Sequence, residues 1–229
     1  MKRALSLIGL LILWAGVAYS LNIPLTVKDE VGVERETEPL CSGVPIPEGV
    51  LSSIDNLRIE RNGSPIPAQF SVLSKWTDSS IKWVLCQFQA GVSAYGSSTY
   101  YLKDTGAHTP STSLILTDGT NSITVNTGPL LFTINKKQFN LFDEAWIDSK
   151  KIVSSSVENG LFVTDKNGKR YLFGTPTSVE IEESGPMRAT IRLEGEHKQE
   201  NGTATIFNYQ VRLQAYAGTS YIRCFYTFI

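Results

Sequence analysis

Residues 189–216 read ATIRLEGEHKQENGTATIFNYQVRLQAY. Apolar and polar residues alternate along both arms, and Asn201-Gly202 lies between them. A period of two puts the apolar set on one face of a strand, and Asn-Gly is turn chemistry. The stretch therefore predicts a hairpin with arms Ala189–Lys198 and Thr203–Tyr216, long enough to span a sandwich. Working outward, Val179, Ile181 and Glu183 alternate with acids, and the turn Asp165-Lys166-Asn167-Gly168 leads into Arg170–Phe173. Ser122–Asn126, Leu130–Ile134 and Gly160–Thr164 read as further strands. Phe139–Trp146 fits a helical face or a strand, and is taken as irregular strand.

Nearer the N-terminus the same period recurs. Leu57-Arg58-Ile59 and Ile66, Ala68, Phe70, Val72 flank Arg61-Asn62-Gly63-Ser64, a second hairpin signal. Ile81–Phe88 and Thr99–Lys103 complete this group, with Trp83 expected in the core. No stretch predicts a long helix, so the expected class is all-β. Residues 106–113, GAHTPSTS, are small, polar and broken by Pro110. They divide a β domain over residues 21–106 from a second over 114–229, with 107–113 as linker.

Residues 1–20 form a third kind of segment. Lys2 and Arg3 precede an apolar run from Leu5 to Val17, and Ala18-Tyr19-Ser20 places small residues where a signal peptidase cuts. This is the pattern of a cleaved secretory signal. The expected location is secreted, periplasmic or extracellular, with no membrane attachment after cleavage. The signal holds Lys2 and Arg3 and no acid, so of 21 Lys+Arg and 22 Asp+Glu the exported part keeps 19 and 22, a net charge of −3. That balance disfavours nucleic acid or an acidic membrane as partner, because both need a strong positive field.

Cys41, Cys86 and Cys224 are the three cysteines. Export permits a disulfide, with Cys41 and Cys86 as the candidate pair. The alternative is three small residues buried in strands. Their spacing matches no zinc site, only His108 and His197 could add imidazole, and neither metal nor cofactor is expected. The same scarcity of histidine counts against a Ser-His-Asp or Cys-His centre.

Residues 24–103, with Ile23 immediately before them, contain IPLTVKDEVGVERETEPLCSGVPIPEG and PIPAQFSVLSKWTDSSIKWVLCQFQA. Residues 126–228 contain NTGPLLFTINKKQFNLFDEAW, VEIEESGPMRATIRLEGEH and YQVRLQAYAGTSYIRCFYTF. In this order the stretches resemble the exo-rhamnogalacturonan lyase-like proteins, a family that includes the YetA-like proteins. The resemblance implies an N-terminal RIFT-type β-barrel followed by an antiparallel β-sandwich. In that family a helical toroid associated with sugar cleavage follows these domains. No such region is present here, which implies a truncated, accessory β pair that does not cleave a polymer alone. SYIRCFYTFI, residues 220–229, predicts an apolar edge where a helical domain or partner chain docks.

Among candidate site residues, Trp76 and Asp78 lie at a turn between two strands. An exposed indole stacks on a sugar face while a neighbouring carboxylate accepts hydroxyl hydrogen bonds. The competing reading is a plugged barrel end and a capped turn. Glu180, Glu182 and Glu183 could pair for glycoside hydrolysis, but Glu180 and Glu182 share the solvent face of one strand. Lys136-Lys137 and Lys150-Lys151 read as turn residues. No catalytic residue is assigned. Three functions remain: a secreted, non-catalytic accessory region of a lyase-like protein that scaffolds or contacts polysaccharide, a free-standing carbohydrate-binding or cell-surface module, or a complete small enzyme.

Overall fold

The structure, a computed structural model, describes residues 20–108, 111–155 and 160–229. The signal segment, apart from Ser20, and the middle of the linker lie outside the described residues. Among the described residues every regular element is a strand, and none is a helix.

The first group is β1 (Asn22–Lys28), β2 (Arg35–Pro45), β3 (Arg58–Arg61), β4 (Ser64–Ile66), β5 (Ala68–Lys75), β6 (Ile81–Val92) and β7 (Ser97–Lys103). They form a four-stranded sheet in the order β1-β7-β3-β4 and a three-stranded sheet in the order β2-β6-β5. Between the sheets lies one core that includes Ile59, Val84, Phe88, Tyr100 and Leu102. Asn62 and Gly63 at the β3–β4 turn have φ of 52° and 78°, as a type I′ turn requires. Along β6, Val84, Cys86, Phe88 and Ala90 face this core. Trp83 belongs to the opposite phase. It is 39% exposed, with its ring against Gly43, and so lies outside the core where the sequence placed it.

The second group is β8 (Ile115–Asp118), β9 (Ser122–Asn126), β10 (Leu130–Asn135), β11 (Glu144–Ile147), β12 (Lys150–Val153), β13 (Phe162–Thr164), β14 (Arg170–Phe173), β15 (Ser178–Ser184), β16 (Arg188–Gln199), β17 (Thr205–Tyr216) and β18 (Ile222–Phe228). One sheet runs β12-β11-β10-β9-β8, the other β13-β14-β16-β17-β18, with β15 also paired to β16. All pairings are antiparallel, and the sheets enclose a second core that includes Ile123, Phe132, Ile191, Leu193, Val211 and Leu213. Of Phe139–Trp146, only Glu144–Trp146 is strand; Phe139 drops into the core from the connection before it. The long hairpin turns through more than Asn201-Gly202, since the Gln199 amide donates to the Ala204 carbonyl at 2.7 Å.

Two bulges shift the simple alternation. In β15 the register slips between Ile181, opposite Ile191, and Glu183, opposite Thr190. The inserted residue moves Glu183 off the core phase it shares with Val179 and Ile181 in sequence, and onto the outer face. In β16–β17 the slip falls between Glu196 and His197. There Phe207 has a φ of 49°, and its carbonyl accepts from His197 Nδ1 at 3.2 Å.

Candidate functional site

Three places carry the chemistry of this chain: the Trp76 turn, the joint between the domains, and a cleft at the tip of the long hairpin. At the first, Trp76 is half-buried, its Nε1 donates to the Ile46 carbonyl at 2.9 Å, and Lys82 Nζ lies 4.4 Å from the ring centroid. Asp78 accepts from the Ser80 hydroxyl at 2.6 Å and the Ser80 amide at 2.8 Å. These bonds, the hydroxyl first, hold its carboxyl below the usual carboxylate range. Both side chains thus fasten the β5–β6 turn. Trp76→Ala is expected to lower stability by about 2 kcal/mol, less than the ~3–5 for a fully buried Trp. A thermal melt checks this. An unchanged melting temperature with lost oligosaccharide binding would make Trp76 a ligand residue instead.

The Cys41–Cys86 bridge is not formed; both thiols are free. Cys41 pairs with Gln87 and Ser42 with Cys86, so the cysteines stand one register step apart on opposite faces of the β2–β6 ladder. A bridge between faces would require the backbone to turn over. Cys86 is enclosed in the barrel, and burial pushes its thiol up to about 12. Cys41 is exposed and accepts from Arg188 Nη1 at 3.3 Å.

That arginine belongs to the joint. Gln69 on β5 and Gln87 on β6 are cross-strand neighbours on the outside of the barrel. Gln69 Nε2 donates to Glu183 Oε1 at 2.6 Å, and Gln87 Nε2 donates to the same oxygen. Gln69 Oε1 accepts from the Met187 and Arg188 amides at 2.9 and 3.1 Å. Arg188 Nε and the Thr190 hydroxyl donate to Glu183 Oε2. Gln89 reaches the Ala217 carbonyl, and Thr112 in the linker donates to the Pro186 carbonyl at 2.6 Å. The space between the domains here shrinks to about 10 Å³, room for at most one water. Sequence reading missed this joint. The signal was Glu183 itself, a charge at the apolar phase of Val179 and Ile181; the burial of Gln87, only 3% exposed, shows in the fold alone.

The remaining acids of this face are also held by cations. Arg212 donates to both Glu182 oxygens, and Arg192 binds Glu180, Glu182 and Glu194. The Arg212 hydrogen bonds hold the Glu182 carboxyl below its ordinary range, with burial opposing them. A depressed, doubly bonded carboxylate is a poor proton donor near neutral pH. Lys136 pairs with Asp118, and Lys151 bonds Glu144 while lying over Trp146. Lys150 and Lys151 begin β12 rather than occupying a turn.

At the far end of the sandwich, His197 is fully buried among Phe173, Tyr209 and Tyr226. The Phe207 carbonyl can only accept, so Nδ1 carries the proton and Nε2 accepts the Tyr226 hydroxyl at 2.6 Å. Both nitrogens are therefore engaged inside the core. Beside this cluster opens a cleft of about 900 Å³ at the tip of the long hairpin, with Lys137, Gln138, Leu172, Lys198 and Asn201 among the residues that line it.

Residues 30–104 match the PcRGLX-like N-terminal RIFT barrel domain, and residues 114–229 match the PcRGLX-like protein central beta sandwich domain. The chain belongs to the PcRGLX-like protein family. Among curated proteins it is similar to the uncharacterized protein YetA of Bacillus subtilis (strain 168), with 27% identity over 204 residues. That match covers 86% of this chain and 24% of YetA, so the chain spans about a quarter of its relative's length. In PcRGLX-like terms, β2–β7 fall within the barrel match and β8–β18 within the sandwich match, while β1 precedes the first match and pairs with β7. The Glu183 joint is where the two family domains meet.

Proposed function

We propose that this chain is the exported, non-catalytic accessory β region of a rhamnogalacturonan-lyase-like carbohydrate-active protein, presenting a joined barrel and sandwich to polysaccharide and to a catalytic helical domain or partner chain. The observation that carries this reading is the joint: Glu183 binds groups from both PcRGLX-like domains, so they form one platform. Further support comes from β18, at the edge of the six-stranded sheet, where Phe225, Phe228 and Ile229 are 51%, 59% and 79% exposed. Exposed apolar residues gathered on an edge favour contact with another protein surface. The arginines that hold Glu180, Glu182 and Glu183 favour scaffolding over acid–base work.

Elimination from a uronate polymer leaves an unsaturated product that absorbs in the ultraviolet. The purified chain is expected to produce none from rhamnogalacturonan alone, and product is expected only when a helical partner is added. Steady product from the isolated chain, abolished by a point substitution within it, would overturn the accessory reading. The free-standing binding-module reading is favoured by the open cleft, and predicts retardation of the isolated chain in a polysaccharide affinity gel.

A further inference from the structure

Two turns of this chain share one chemistry. Asn62-Gly63 joins β3 to β4, and Asn201-Gly202 lies in the β16–β17 hairpin. Both asparagines are exposed and left-handed, with φ of 52° and 57°. An Asn-Gly pair can react with itself, because no side chain shields the glycine nitrogen. That amide gives its proton to hydroxide and attacks the asparagine Cγ. The new N–C bond closes a cyclic imide, the Cγ–Nδ2 bond breaks, and Nδ2 takes up a proton and leaves as ammonia. Water then opens the imide at either carbonyl. One product is aspartate. The other is isoaspartate, whose main chain runs through the former side chain and is longer by a methylene. No oxidant, metal or enzyme takes part.

The fold treats the two turns differently. The Gly202 amide is engaged, donating to the Gln199 carbonyl at 3.2 Å. The Gln199 side chain also covers that glycine, its Cδ 2.7 Å from where a Cβ would stand. The Gln199 amide closes the turn on the Ala204 carbonyl at 2.7 Å, and the Glu200 amide ties it to the Arg170 carbonyl at 2.9 Å. Two arms of 12 residues each hold these bonds in place. By contrast, the Gly63 amide donates to no group among the described residues, and no atom lies within 4 Å of where its Cβ would stand. β4 has three residues, lies at the edge of its sheet and pairs with β3. Short edge elements open locally at low cost. Such opening lets Asn62 leave the left-handed turn and bring its Cγ to the Gly63 nitrogen.

We propose that Asn62 is a self-modification site, converting to isoaspartate through the Gly63 amide, and that the conversion releases β4 from the barrel. Two left-handed residues fit the two-residue turn, whereas a main chain lengthened by a methylene does not. The Arg61–Ser64 pair that closes the turn is then lost. Behind it, Ile66 loses its place opposite Ile59 and against the barrel core. The change is set by time and alkalinity and needs neither polysaccharide nor partner.

Incubating the whole chain in mildly alkaline buffer and mapping its peptides by mass spectrometry reads both sites in one sample, with fragmentation that separates isoaspartate from aspartate. Asn62 is expected to convert at least about tenfold faster than Asn201, with isoaspartate the main product. In strong denaturant both Asn-Gly pairs are free of the fold, and the two rates should converge. Equal rates in the folded chain, or faster loss at Asn201, would overturn the site. A ratio unchanged by denaturant would overturn it too, since local sequence and not the fold would then set the rates. Hydrogen exchange reads the consequence. The β4 amides are expected to exchange faster in the converted chain, separated by its added charge, than in the fresh one. Asn62→Asp gains the same charge without the methylene, and aspartate tolerates the left-handed turn, so its β4 exchange should match the fresh chain. Unchanged exchange in the converted chain, or equal acceleration in Asn62→Asp, would overturn the release of β4.

Discussion

Glu183→Ala is expected to uncouple the barrel from the sandwich and to cost about 3 kcal/mol. The carboxylate accepts from Gln69, Gln87, Arg188 and Thr190, so its removal strands donors from both domains at once. Gln87 is almost fully enclosed, and the Arg188 and Glu183 side chains are only 14% and 16% exposed. Water therefore replaces the lost bonds poorly. Differential scanning calorimetry should show one wild-type transition splitting into two, with the domains melting separately. Glu183→Gln should give a smaller effect. Its amide keeps one acceptor oxygen, but its NH2 must face either the glutamine donors or Arg188. A single unshifted transition in the alanine variant would show that the joint contributes nothing to coupling.

The second large effect is expected within the sandwich. Leu193 lies mid-way along β16, fully buried, opposite Val179 on β15 and Val211 on β17. Leu193→Ala should leave a cavity between these partners and cost ~2–5 kcal/mol, lowering the melting temperature by on the order of 10 °C. Leu73→Ala serves as the contrast. It removes the same atoms from a residue 54% exposed and should stay within about 0.5 kcal/mol. Equal shifts in the two variants would mean that the β16 contacts do not form the core described.

The elements that were legible have a local cause. The hairpin of β16 and β17 shows in its alternation, and the β3–β4 turn shows in Asn62-Gly63, because side-chain period and positive φ are set by neighbouring residues. The departures arise where the period is interrupted. Trp83 is read as core because it sits inside a strand, yet it faces outward in phase with Leu85 and Gln87. Cys41 and Cys86 are plausible partners by residue type, but one step of register sends them to opposite faces.

The sequence by itself determined the all-β class, the family and the main strands of both domains. Each follows from patterns that repeat over a few residues or from ordered stretches that resemble known relatives. Only the tertiary structure decided that Glu183 would be the joint. A single bulge in β15 turns it outward, and its partners Gln69 and Gln87 lie 114 and 96 residues away in the chain. The cleft was equally hidden. Lys137 follows β10 of one sheet and Lys198 lies on β16 of the other, and nothing in their local sequence marks them as cations without an acid. That property comes from what the fold places nearby: Asp118 pairs with Lys136 and Glu200 with Arg170. Coulomb interaction acts through space, and chain order does not record those distances.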